Sequence, residues 1–137
     1  MNRILDAGRL VATVLLVVAA MAEGLAIGQQ PGFVVTPLLR TGLSADPGRV
    51  VVIARGEFAP GAATGRHSHA GDEYATVIEG TLEVAVTGQP PRRYVAGEAY
   101  HNARGVVHDT RNVGQTRARV VSTLIVDAGR PLIEPAD

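Results

Sequence analysis

GAATGRHSHAGDEYATVIEG, residues 61–80, carries the pattern that decides the fold. His67 and His69 are separated by one residue, and on an extended strand side chains two apart point to the same face. Both imidazoles can therefore reach one point inside a sheet-built domain. Glu73 follows after Ala-Gly-Asp, a turn or bulge able to bring its carboxylate to that point. The chain has four histidines, all between positions 67 and 108. His108 stands far along the chain, so it has to arrive from another strand. Three neutral imidazoles and one carboxylate make a borderline-hard donor set for a divalent ion and leave positions for water or substrate. An isolated His-x-His on a strand has a plainer reading, as polar surface or core residues. Glu73 and the distant His108 are what raise this pair above it.

Outward from that stretch the chain is a series of short β-type runs broken by turn residues. RVVVIARGEF, residues 49–58, ends at Pro60-Gly61. EYATVI ends at Glu79-Gly80, a two-residue hairpin signal. TLEVAVT alternates, with Leu82, Val84 and Val86 on one face and Glu83 on the other. RRYV ends at Ala96-Gly97, DTRNV ends at Gly114, and ARVVSTLIVDA, residues 118–128, is the last strand. Upstream, one strand is expected around Phe33 to Leu39, with Pro37 demoting it towards an edge. Seven or eight short strands at close spacing predict an all-β sandwich or barrel. No sustained helical periodicity runs from Gly32 to the end.

Residues 61–80 fit the first motif of the cupin superfamily, G-x5-H-x-H-x3-E-x6-G, without a gap. GEAYHNARGVVHDTRN, residues 97–112, resembles the second motif, G-x5-P-x-G-x2-H-x3-N, and departs once, with Ala103 where the family usually has proline. The resemblance covers roughly Val50 to Val126. It implies a single jelly-roll β-barrel, and it assigns His67, His69, Glu73 and His108 as ligands of one divalent metal ion (Fe, Mn, Ni, Cu, Co or Zn). It also implies oxygenases, isomerases and decarboxylases as precedents for activity, with quercetinase-like dioxygenases among the small single-barrel members.

Composition narrows the rest. Hydrophobic residues make up 46% of the 137, enough for a core, but aromatics are only 4%, so Val, Leu, Ile and Ala must fill it. Formal net charge is zero, which argues against nucleic acid as a partner. There are no cysteines, so thiolate metal sites and disulfides are excluded. Arg3 and Arg9 precede an apolar run from Leu10 to Ala22 that ends in Ala20-Met21-Ala22. This describes a secretory signal, with an uncleaved N-terminal anchor as the rival and the only route to membrane contact. The expected organisation is a signal or anchor over residues 1–22, a lead-in segment over 23–47, a cupin barrel over 48–130 and a C-terminal tail over 131–137. The expected location is periplasmic or secreted.

Several other residues need weighing. His101, if it faces inward, could act as a catalytic general base near the metal; if it faces outward, it is a surface histidine. Tyr74 and Thr76 alternate away from Glu73 and belong outside. Tyr94 and Tyr100 fit a pocket rim or a dimer contact. Asp72 reads as a turn residue, and Asn112 as a structural turn or strand-end residue. Arg66 and Arg104 read as solvated. The strand Ala118 to Val126 is a candidate edge for homodimer pairing. The function expected is an exported metal-binding protein, possible in two forms: a metal-dependent oxidoreductase of the dioxygenase kind acting on a small molecule, or a non-catalytic module that captures a metal or small ligand.

Overall fold

The computed structural model describes residues 30–137. The signal or anchor expected over residues 1–22, and the lead-in before residue 30, lie outside the described residues. Every regular element described is a strand: β1 (Phe33–Leu43), β2 (Asp46–Phe58), β3 (His67–Ser68), β4 (Gly71–Glu79), β5 (Thr81–Val86), β6 (Arg92–Val95), β7 (Ala99–Asn102), β8 (His108–Asn112), β9 (Ala118–Asp127) and β10 (Glu134–Pro135). They form two antiparallel five-stranded sheets, ordered β1-β2-β9-β4-β7 and β10-β3-β8-β5-β6. The chain crosses repeatedly between them in the manner of a jelly roll.

Period-two patterning places the core between the sheets. On β9, Ala118, Val120, Ser122, Leu124 and Val126 are buried and alternate with half-buried neighbours. On β2, Val52, Ala54 and Phe58 do the same. Phe33 and Phe58 pack with ring centroids 4.5 Å apart. Around them lie Val77, Leu82, Val84, Tyr100 and Val120. With few aromatics available, Phe58 and Leu82 are among the largest fully buried side chains. Each such burial stabilises the fold by about 1.5–3 kcal/mol.

Two expectations need correction. Glu79-Gly80 does not close a hairpin: β4 pairs with β7 and β9, whereas β5 pairs with β6 and β8. The dipeptide is the corner where the chain leaves one sheet for the other. Gly80 takes φ +78°, and a Cβ there would lie 2.9 Å from the Cα of Ala118, so both the turn and the tight approach require glycine. Next, β9 is no edge available for pairing with another molecule, because β2 flanks it on one side and β4 on the other. The strand expected in the lead-in is present: β1 reaches Leu43 and runs antiparallel to β2, which itself begins at Asp46. It is the sheet's edge strand, as Pro37 implied, and its register shifts between Pro37 and Leu39. The C-terminal residues are also tied down. β10 pairs with β3, with Glu134 opposite Ser68 and Pro135 opposite His67.

Candidate metal centre

The segments that carry the four candidate residues come from both sheets. His67 lies on the short strand β3 and is in direct register with His108, at the start of β8. A direct cross-strand pair puts two side chains on one face at close range, and the rings lie 4.3 Å apart between centroids. His69 follows β3 by one residue, on the same face as His67, with ring centroids 4.9 Å apart. All three histidines are buried. Each offers a ring nitrogen, and these atoms lie within 4.8 Å of one another, so the three imidazoles can hold a metal ion.

Glu73 arrives from the opposite sheet, on β4 between Asn102 of β7 and Leu124 of β9. Its Oε2 is 3.6 Å from His69 Nε2 and 3.4 Å from His108 Nε2. Two neutral donors hold the carboxylate: Asn102 Nδ2 donates to Oε2 at 2.8 Å and Ser122 Oγ donates to Oε1 at 2.7 Å. Glu73 therefore stands beside the histidine triad, oriented from behind.

The three rings are also oriented. Each Nδ1 faces a backbone carbonyl: Gly65 for His67 at 2.8 Å, Val106 for His108 at 3.0 Å, and Leu132 for His69 at 2.6 Å. A carbonyl only accepts, so each Nδ1 must carry the proton. Each Nε2 is then left with its lone pair. His69 Nε2 is buried and has no hydrogen-bond partner. An orphaned buried acceptor is costly unless something fills the place, and a cation coordinated by imidazole does so. The donor set fits a divalent ion on this ground.

Electrostatics distinguish the four groups. Burial, then the neighbouring His108, push His67 down to about 4, so its imidazole is neutral at ordinary pH. Burial also works against a charge on His69, but the negative charge of the Glu73 carboxylate, 3.6 Å away, outweighs it and raises His69 above its ordinary value. For Glu73, burial would raise the value, yet His108, His69 and Asn102 hold the carboxyl well below the usual range. Burial and the Glu73 charge push the Tyr100 phenol upward, which keeps it protonated.

The triad, Glu73 and Tyr100 face one small cavity, walled elsewhere by Phe33, Val35, Leu124, Leu132 and Ile133. It has room for about 50 Å³ of water-sized occupants. His101 does not reach it. On β7 the buried positions are Tyr100 and Asn102, so His101 faces outward, where its Nε2 lies 3.1 Å from Asp72 Oδ1 and its ring stacks on Tyr74 at 4.8 Å. The side chains of β7 that face inward are instead those of its neighbours Tyr100 and Asn102. Tyr74 and Thr76 lie outside, and Arg66 and Arg104 are exposed, as expected. Asn112 is structural: its Nδ2 donates to the carbonyls of Phe58 and Thr116. Ser122, Asn102 and Leu132 were missed. Only Ser122 left a trace in sequence, as a polar residue in the inward register of an otherwise apolar strand.

Residues 54–126, more than half of the chain, match the Cupin domain family. The chain belongs to the cupin family. Among curated relatives, this cupin is 38% identical over 78 residues to the beta-alanine degradation protein BauB of Pseudomonas aeruginosa, spanning 55% of this chain and 81% of that protein. It is 31% identical over 80 residues to the HTH-type transcriptional regulator PuuR of Escherichia coli, where the match spans 58% of this chain and only 43% of the regulator. Among solved structures, the cupin superposes on an oxalate oxidase with a TM-score of 0.62 and 29% identity, covering 80% of this chain and 58% of that one. The chain thus spans less than half of the regulator and little more than half of the oxidase.

Proposed function

We propose that the chain is an exported, metal-dependent cupin acting as an oxidoreductase of the dioxygenase kind on a small oxygen-bearing molecule. One divalent ion is held by His67, His69 and His108, with Glu73 as the fourth ligand. The observation that carries this reading is the buried, unpartnered Nε2 of His69, turned into the same cavity as its two fellow imidazoles. When bound, such an ion supplies Lewis-acid polarisation of a ligand oxygen. The chain's own contribution is orientation and exclusion of water. Apolar walls strip solvent from the cavity, and the protonated phenol of Tyr100 is a donor to a ligand oxygen.

Cavity size favours compact substrates. A volume of about 50 Å³ suits a few heavy atoms and not a flavonol. The oxalate oxidase likeness supports small carboxylates in the same direction. Metal analysis of the purified protein, then oxygen uptake with oxalate, glycolate, catechols and flavonols, tests the reading. Protein that purifies without metal and refuses added Fe, Mn, Co, Ni, Cu and Zn would overturn it.

The likeness to PuuR favours a second reading, a non-catalytic module that binds a small ligand. Metal present with no turnover across the panel selects it. Export rests on the N-terminal apolar run alone, and N-terminal sequencing of protein recovered from a periplasmic fraction tests it.

A further inference from the structure

Two of the three metal-facing histidines are oriented locally. His67 and His108 each donate Nδ1–H to the carbonyl two residues earlier, Gly65 and Val106. Each ring is therefore set by its own turn of chain. His69 differs. Its Nδ1 partner is the carbonyl of Leu132, 63 positions away in sequence.

Leu132 sits in a strap, residues 131–136, anchored at several points. Glu134 and Pro135 pair with Ser68 and His67. Ala136 N donates to the carbonyl of Arg66 at 3.0 Å. Arg130 Nε donates to Glu134 Oε1 at 3.0 Å. The strap thus runs along the strand that carries His67. Leu132 and Ile133 are half-buried and form part of the cavity wall.

We propose that this strap is a working part of the metal centre: the Leu132 carbonyl is a positioning group that fixes which nitrogen of His69 faces the ion, while Leu132 and Ile133 close the cavity and set the size of ligand admitted. The inference rests on the metal-binding reading above. Its physical basis is tautomer control. A neutral imidazole carries one N–H, and the acceptor that takes it decides which nitrogen keeps a free lone pair. Outer partners of this kind are worth about 10–100-fold in metal affinity. Residues 131–136 therefore complete a site whose ligands all lie upstream.

Two measurements on the full chain test it. The first is long-range proton–nitrogen NMR of the metal-free parent at about pH 9, well above the ordinary histidine value. His69 should carry its proton on Nδ1; a proton on Nε2 overturns the proposal. The second is a strap-releasing variant, Leu132→Gly with Ile133→Gly and Ala136→Pro, titrated with zinc by calorimetry. About a 10–100-fold weaker affinity is expected, with the metal-free melting temperature within a few degrees of the parent. A folded variant that binds zinc as tightly as the parent overturns the proposal. If the variant does not fold, the tautomer of the parent decides. If the parent itself takes no metal, the metal reading falls, and the tautomer still decides whether the strap orients His69. Ile133→Ala should leave zinc affinity within about twofold, because the carbonyl stays in place, and should let zinc-loaded protein bind 4-phenylimidazole more tightly than the parent does.

Discussion

Ser122 Oγ donates to Glu73 Oε1 at 2.7 Å, joining the middle of β9 to the carboxylate that faces the histidine triad. Both groups are buried, and the other carboxylate oxygen is taken by Asn102. Ser122→Ala should leave one oxygen of a buried carboxylate without a donor and free the group to rotate. We expect metal affinity to fall about tenfold, at the low end of the range for partners behind a ligand. Asn102→Ala should do at least as much, because it frees the oxygen that lies against His69 and His108. Calorimetric titration checks both, and unchanged affinity in both would mean that Glu73 is not a ligand.

His108 and His101 offer a paired contrast. His108→Ala removes one of three converging nitrogens and should abolish tight metal binding. His101→Ala removes an outward ring that touches Asp72 and Tyr74, so affinity should stay within about twofold. Loss of binding in the His101 variant would place that ring in the site after all.

Metal binding should weaken as pH falls, with its onset set by His69. A proton on any ligand competes with the ion. His67, pushed down to about 4, competes only in strong acid. His69, raised above 6.5 by Glu73, holds its proton at higher pH than free histidine does. Zinc titrations in buffers of differing ionisation enthalpy should show proton release that grows as pH is lowered from about 8 to about 6.5. Release that begins only below about 5 would contradict this.

The metal-free fold should be most stable near pH 6.5. The contribution of His69 is fully present below its unfolded value and is lost as pH rises through the raised folded value. His67 acts in the other direction. Its depressed value means that the unfolded chain takes a proton first, so stability falls as pH drops from 6.5 to about 4. Glu73 adds stability above 4.5 that disappears only in stronger acid. Thermal melts across pH 4–9 in the presence of a chelator check the position of the maximum.

Gly71 permits the closest backbone approach in the sheet that carries Glu73. A Cβ there would lie 1.9 Å from the carbonyl oxygen of Ile125 and 2.6 Å from the Cα of Val126. Neither atom can rotate away, so Gly71→Ala must part β4 from β9. A loss of about 3 kcal/mol is expected, read as a lower denaturant midpoint. Gly61→Ala, which adds a methyl to open space at φ +77°, should cost only about 1 kcal/mol.

Much of the fold was legible because glycine and proline punctuate strands of period two. The expected run over residues 92–95 coincides with β6, and those over 81–87 and 118–128 overlap β5 and β9 within a residue. What failed depended on partners. Glu79-Gly80 has good local hairpin chemistry, but only the packed molecule shows that the two flanking strands belong to different sheets. β7 was not expected as a strand, because AYHN is short and mixed in character. The Leu132 carbonyl is invisible in sequence, since any residue there would supply one. The three histidines were readable because their donor type is scarce in the chain. Asn102 was not, because its role comes from sitting opposite Glu73 in register.

The corner at Gly80 has a wider consequence. It joins the sheet bearing Glu73 to the sheet bearing His67 and His108, and no side chain fits there. The spacing between the carboxylate and the imidazoles is therefore a tolerance of the joint between two slabs. A side chain forced into that corner would move the carboxylate relative to the imidazoles.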